Sequence, residues 1–248
     1  MAPTANISEI FVSWQGEGSR VGEKHLFVRF AGCNIRCNYC DTPKSLVPVE
    51  RLRVDLPDGS TKEFANPVGA AQLSALVEEC CRLDPAVAMI AITGGEPLVQ
   101  HEFISEWLAH HAPPRPCLLE TNAMLPGALA GVIEHVSVVS ADIKLPSAGG
   151  ERPMWDEHQC FLEACSGSEL YVKMPVDGAT KPSEVARAAR LVRETAREAE
   201  LFVQPICSAD NDRWRISDEE LERLVDAAAA ELPRVRVLPQ VHKLLGVR

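Results

Sequence analysis

His25-Leu26-Phe27-Val28-Arg29-Phe30 runs directly into Ala31-Gly32-Cys33-Asn34-Ile35-Arg36-Cys37-Asn38-Tyr39-Cys40-Asp41-Thr42. The first part is an apolar, strand-forming run, and the second is a polar loop that holds three cysteines. Further strand-like runs fall at 87–92, 117–119, 136–140, 170–174, 201–203 and 234–238. Helix-period segments at 70–83, 102–111, 155–164, 182–199 and 217–232 separate most of them. This alternation predicts an α/β fold whose parallel sheet curves into a partial barrel. One stretch, 51–64, alternates charge and apolarity around Pro57-Asp58-Gly59 and predicts an inserted β-hairpin within residues 48–66. No repeat, low-complexity tract or linker divides residues 1–248, so a single domain is expected.

The polar clusters keep a common phase. The cysteine loop follows the first strand, Thr93-Gly94-Gly95-Glu96 the second, Glu120-Thr121-Asn122 the third, and Asp142 with Lys144 the fourth. Lys173 ends the fifth, Gln204 follows the sixth, and Gln240 and His242 follow the seventh. In parallel α/β barrels the active site is built from the loops at the carboxyl ends of the strands, so these clusters should share one mouth.

Composition narrows the function. The chain has 248 residues, 46% of them hydrophobic, enough for a sizeable core. Its formal net charge of -10 repels phosphate backbones, which disfavours nucleic acid and favours a small-molecule substrate. The start, MAPTANISEIF, lacks a basic segment followed by an apolar one, and no apolar run approaches the roughly 20 residues of a membrane span. A cytoplasmic location without membrane attachment is expected. Nine cysteines, an odd number with three clustered, point to reduced thiols and a metal site instead of disulfides.

Structural zinc sites are closed by four Cys or His ligands, and ordinary ferredoxin-type clusters also take four cysteines. Cys33-x3-Cys37-x2-Cys40 offers three with no fourth ligand nearby in the sequence. That pattern suits a cubane cluster with one iron open to an exogenous ligand. Cys80 and Cys81 on a helix and Cys117 in a strand fit small buried hydrophobes, and Cys160, Cys165 and Cys207 match no cluster spacing.

With these residues in view, the chain resembles the radical SAM (S-adenosylmethionine) superfamily, which shares the CxxxCxxC loop, the aromatic Tyr39 before its last cysteine and the later GGEP segment. More specifically it is similar to the 7-carboxy-7-deazaguanine synthase family. That likeness is carried by Glu9-Ile10-Phe11, Ser13-Trp14-Gln15-Gly16-Glu17-Gly18, Phe27-Val28-Arg29, Gly32-Cys33-Asn34, Cys40-Asp41-Thr42, Thr93-Gly94-Gly95-Glu96-Pro97, Glu120-Thr121-Asn122, Gln204-Pro205 and Pro239-Gln240-Val241-His242-Lys243. Ala123 and Val241 depart from the Gly and Thr usual there.

The resemblance implies a partial (β/α)6-type barrel and a lyase that contracts 6-carboxy-5,6,7,8-tetrahydropterin to 7-carboxy-7-deazaguanine with loss of ammonia, in queuosine-type 7-deazapurine biosynthesis. It implies a 4Fe-4S cluster on Cys33, Cys37 and Cys40, SAM as a regenerated cofactor, and Mg2+ on Thr42. Tyr39, Gly95, Glu96, Ser140, Asp142, Lys144 and Gln204 would serve SAM. Trp14, Gln15, Gly16, Glu17, Arg29, Thr93, His242 and Arg248 would serve the pterin. It also implies a flavodoxin or ferredoxin reductant and a homodimer.

Some of these roles have independent reasons. Arg29 near the end of a buried strand needs an anion, either a substrate carboxylate or Glu9 or Glu17. Asp142 and Lys144 could form an ion pair at the barrel mouth. Residues 242–248 begin at the mouth and are largely apolar, so they should fold over it and bury Leu244, Leu245 and Val247, placing Arg248 in the site. A glycyl-radical activating enzyme, the competing reading, shares CxxxCxxC, GGEP and a DIK-like segment, but QGEG, Arg29 and the terminal HK argue against it.

Overall fold

The computed structural model describes residues 3–150, 152–165, 167–208 and 214–247. The strands are β1 (Thr4–Ala5), β2 (Ile7–Trp14), β3 (Lys24–Phe30), β4 (Arg51–Asp55), β5 (Thr61–Ala65), β6 (Val68–Gly69), β7 (Met89–Gly94), β8 (Cys117–Thr121), β9 (Val138–Asp142), β10 (Glu169–Val176), β11 (Glu200–Pro205) and β12 (Val235–Val237). The helices are α1 (Ala70–Leu83), α2 (His101–His111), α3 (Pro126–Leu129), α4 (Pro146–Gly149), α5 (Trp155–Ala164), α6 (Pro182–Thr195), α7 (Asp218–Ala229) and α8 (Val241–Leu245).

The large sheet has the order β12-β11-β10-β9-β8-β7-β3-β2-β4-β5. From β3 through β7 to β12 every neighbouring pair is parallel. These are the seven strands expected from the apolar runs. The inserted hairpin is also present as the antiparallel pair β4 and β5, with β4 lying parallel to β2. The sequence reading passed over β2, which pairs antiparallel with β3 across a register shift between Ile7 and Glu9. Its burial does not alternate cleanly, so a period of two is not visible in its residues.

Helices cover one face of the sheet. In α1, Leu73, Leu76, Val77, Cys80 and Cys81 are buried, the spacing of one helical stripe. Helix α7 starts on a capping box, Ser217 with Glu220. Helix α6 ends at Thr195, short of the expected 199, because Ala196 leaves helical geometry to turn the chain into β11. No helix of the described residues is long and apolar enough to cross a membrane.

The other face closes on itself. Phe11, Phe27, Met89, Ala91, Leu118, Val138, Tyr171 and Phe202 form a separate buried cluster, with Phe11 and Phe27 stacked at 5.2 Å and Tyr171 edge-on to Phe202 at 5.9 Å. Side chains two residues apart on a strand share a face. Arg29, Thr93, Glu120, Lys173 and Gln204 therefore stand directly above Phe27, Ala91, Leu118, Tyr171 and Phe202. The apolar cluster is the floor, and the polar residues form the layer at the carboxyl ends of the strands.

Candidate active site

Above that floor lies a cavity of about 440 Å³, in the range of small-molecule sites. Cys33, Cys37 and Cys40 line it, and no other cysteine of the described residues does. All three are free thiols of intermediate exposure. Among the described residues, Glu17, Asp41 and His242 are the group of three or more ligand-type side chains whose donor atoms lie within 4.8 Å of one another. The three sulfurs do not all lie within 4.8 Å of one another, whereas thiolates on one tetrahedral ion are about 3.8 Å apart for 2.3 Å bonds. As placed, the three thiols are too spread to close on a single tetrahedral zinc ion. Burial raises the Cys33 thiol pKa, a cost that a bound cationic cluster would remove.

Asp142 and Lys144 line the same cavity, with Tyr39 of the loop beside them. Lys144 Nζ lies 2.8 Å from Asp142 Oδ2 and 5.5 Å from the Tyr39 ring centroid. Burial alone would discharge Lys144, but Asp142 outweighs it and holds the ammonium charged. The Lys144 backbone N–H donates to His158 Nε2 of α5 at 3.2 Å. Burial, then the nearby Lys144 charge, lowers His158 to about 4, so its ring is a neutral acceptor.

Lys173 holds the centre. Its ammonium pairs with Glu17 and lies 3.3 Å from Asp142 Oδ1. Glu17 also accepts from Gln204 Nε2 at 3.1 Å and Gln240 Nε2 at 2.9 Å. Burial would raise the Glu17 pKa, but Lys173 and His242 overcome it and hold the carboxyl far below its usual range. Gln240 Nε2 reaches Asp41 Oδ2 at 2.9 Å as well, which ties the last cysteine's neighbour to the chain end.

Arg29 lines the cavity with its Nε 2.7 Å from Glu9 Oε1, so Glu9 is the internal partner. Its guanidinium sits 5.5 Å from the Phe11 ring centroid. Gln15 Nε2 donates to Glu120 Oε1 at 2.8 Å, and the Glu17 N–H donates to Gln15 Oε1 at 3.1 Å, which shapes the QGEG turn. Gly16 is pressed against α8: its carbonyl accepts from Val241 N–H at 3.0 Å.

Trp14, Thr42, Thr93, Gly95 and His242 line the same cavity. Glu96 and Ser140 do not. Glu96 is fully buried with its oxygens taken by the N–H of Leu98, the Thr121 hydroxyl and the N–H of Asn122, at 3.0, 2.9 and 2.7 Å. Ser140 is fully buried one layer below Asp142, in register with Tyr171 on one side and Glu120 on the other. Leu244 and Leu245, expected to be buried, are 56% and 60% exposed. The short helix α8, closed by Gly246 at φ 65°, turns His242 and Lys243 toward the cavity and the two leucines outward, and Val247 returns to the lining. Arg248 lies outside the described residues. Glu120, Asn122, Lys173 and Gln240 were legible as polar clusters at strand ends and complete the lining.

The profile of the radical SAM superfamily matches residues 27–194. A 7-carboxy-7-deazaguanine synthase of Geobacter sulfurreducens is 38% identical over 98% of both chains. The chain belongs to this family. A synthase of the same name from Methanopyrus kandleri is 36% identical over 98% of this chain and 94% of its own. In fold, the chain is similar to the crystal structure of QueE from Escherichia coli, with a TM-score of 0.61 at 20% identity over 96% of this chain and 95% of that one. The chain is therefore a radical SAM enzyme, and SAM and a 4Fe-4S cluster follow from the family.

Proposed function

We propose that the chain converts 6-carboxy-5,6,7,8-tetrahydropterin to 7-carboxy-7-deazaguanine with release of ammonia, using Mg2+ in addition to SAM and the cluster. The observation that carries this reading is the meeting, in one cavity, of three widely spaced thiols with an arginine fork and a set of ring-sized polar partners. Cys33, Cys37 and Cys40 would hold the cluster. Once reduced by one electron, that cluster would pass it to the sulfonium of bound SAM, so that a C–S bond breaks into methionine and a 5'-deoxyadenosyl radical. Tyr39, Gly95, Asp142, Lys144 and Gln204 would bind and orient SAM, with Glu96 and Ser140 bracing them from behind.

Arg29, its guanidinium plane fixed by Glu9, would take the pterin carboxylate. Gln15, Glu17 and Glu120 would offer acceptors to the N–H-rich ring, with Trp14, Gly16, Thr93 and His242 closing around it. Thr42 beside Asp41 gives Mg2+ the hard oxygens it prefers, and few protein ligands suffice when the substrate supplies others. The reading carries a flavodoxin or ferredoxin as electron donor, a homodimer and one domain over residues 1–248. The test is anaerobic incubation of reconstituted protein with SAM, dithionite and the carboxy-pterin. A deazaguanine chromophore without net loss of SAM is expected. Stoichiometric consumption of SAM with the pterin untouched would sink the reading.

A further inference from the structure

Asn122 sits at the end of β8 with 5% of its surface exposed, and it lines the cavity. Its backbone N–H donates to Glu96 Oε2, and its Nδ2 donates to Asn34 Oδ1 at 2.7 Å. Its remaining polar atom, Oδ1, is buried with no hydrogen-bond partner among the described residues. A buried amide oxygen without a donor is unfavourable, and on a residue that lines a cavity it can be satisfied by a donor of a bound ligand.

The surroundings say which donor. Asn34 follows Cys33 directly, and its Oδ1 is 3.9 Å from Cys33 Sγ, so the Asn122 amide is docked on the cysteine loop. The GGEP turn is packed just as closely on that loop: a Cβ on Gly95 would lie 2.4 Å from Gly32 O, 2.6 Å from Ser45 O and 2.9 Å from Cys33 Cβ, so only glycine fits there. Glu96, expected from the resemblance to serve SAM, is turned away with its oxygens occupied. We propose that Asn122 Oδ1 accepts a hydrogen bond from the α-amino group of SAM bound at the open iron. This rests on the radical SAM reading of the site.

The test compares SAM with an analogue whose α-amino group is replaced by hydrogen, each titrated into cluster-loaded wild type and Asn122→Ala. Binding is followed by equilibrium dialysis and by the change in the reduced cluster's electron paramagnetic resonance spectrum. Asn122→Ala should weaken SAM about ten-fold and the analogue by no more than about two-fold, since the lost bond exists only with the amino group. Equal weakening of both ligands, or of neither, overturns the proposal. If Asn122→Ala does not hold its cluster, Asn122→Asp decides. It keeps the acceptor and should bind SAM within about three-fold of wild type, and a loss of about ten-fold or more overturns the proposal. Wild type that loads its cluster but binds neither ligand would overturn the underlying reading as well.

Discussion

Lys173 and Glu17, 156 positions apart in sequence, form a direct ion pair at the centre of the barrel mouth, with Asp142 on the far side of the ammonium. The pair joins the QGEG turn to the fifth parallel strand. Lys173→Met would leave Glu17 and Asp142 buried without their common cation, at a cost of roughly 3–5 kcal/mol. Pairing it with Glu17→Gln should recover a large part of that loss, because one of the stranded charges is then gone. Urea midpoints of the apo forms measure both. A double variant no more stable than Lys173→Met would show that the pair contributes little beyond packing.

Two buried groups pull stability in opposite directions with pH. Burial, only partly offset by its donors, raises the Glu96 pKa from 4.5 to about 7. Its favourable protonated form is fully present below 4.5, so its contribution is lost as pH rises through 7. His158 is lowered from 6.5 to about 4, so its contribution is present above 6.5 and lost as pH falls through 4. Between these limits the two slopes largely cancel in wild type. Glu96→Gln should make the apo protein gain stability from pH 4.5 to 6.5, on the order of 3 kcal/mol, and His158→Gln should make it lose a similar amount. Parallel pH profiles for the two variants would contradict this.

Much of this architecture is written in periodicity. The seven parallel strands follow from apolar runs because a sheet buried on both faces needs them. The mouth follows from the polar residues two places beyond Phe27, Ala91, Leu118, Tyr171 and Phe202. What escaped is set by contacts between distant segments. The strand β2 has no clean alternation, since its register shifts at Ile7/Glu9. The retreat of Glu96 behind the wall is fixed by donors from Thr121 and Asn122, which no spacing near GGEP announces. The outward turn of Leu244 and Leu245 depends on where α8 docks, through Val241 on Gly16.

The cysteine loop gives the most direct check on the cofactor. Replacing any one of Cys33, Cys37 or Cys40 by Ala should abolish the brown anaerobic absorbance and SAM cleavage, while Cys160→Ala should leave iron at about four per chain. Full iron in a Cys37→Ala protein would remove the loop from the cluster.

Arg29→Ala should chiefly damage substrate binding. Stripping the partner from a desolvated carboxylate costs on the order of 2–5 kcal/mol, so KM for the carboxy-pterin should rise at least about thirty-fold with cluster content unchanged. Glu9→Gln, which keeps a hydrogen-bonding partner for Arg29 Nε, should have a smaller effect. Unchanged KM in Arg29→Ala would place the carboxylate elsewhere.

The contact between Gly16 and His242 makes a steric demand that joins the QGEG turn to the chain end. A Cβ on Gly16 would lie 2.4 Å from His242 Nδ1 and 2.5 Å from its backbone N, closer than packed atoms approach, and part of the obstruction is backbone. Gly16 is not among the positive-φ glycines, so alanine brings no backbone strain of its own. Its effect must therefore pass through α8, which would shift and release the hydrogen bond from Val241 N–H to Gly16 O. His242, Lys243 and Val247 line the cavity, so a displaced α8 should loosen its wall, and its ties to the cysteine loop run through Asp41, which Gln240 and Lys243 hold, and not through a thiol. Gly16→Ala should load a full cluster and bind SAM normally, yet raise KM for the pterin about ten-fold or more, the pattern of lost ground-state binding. Gly127→Ala, where a Cβ meets nothing within 4 Å, is the matched control and should be near neutral. A Gly16→Ala enzyme with the KM of that control would mean that α8 closes over the cavity without helping to hold what enters it.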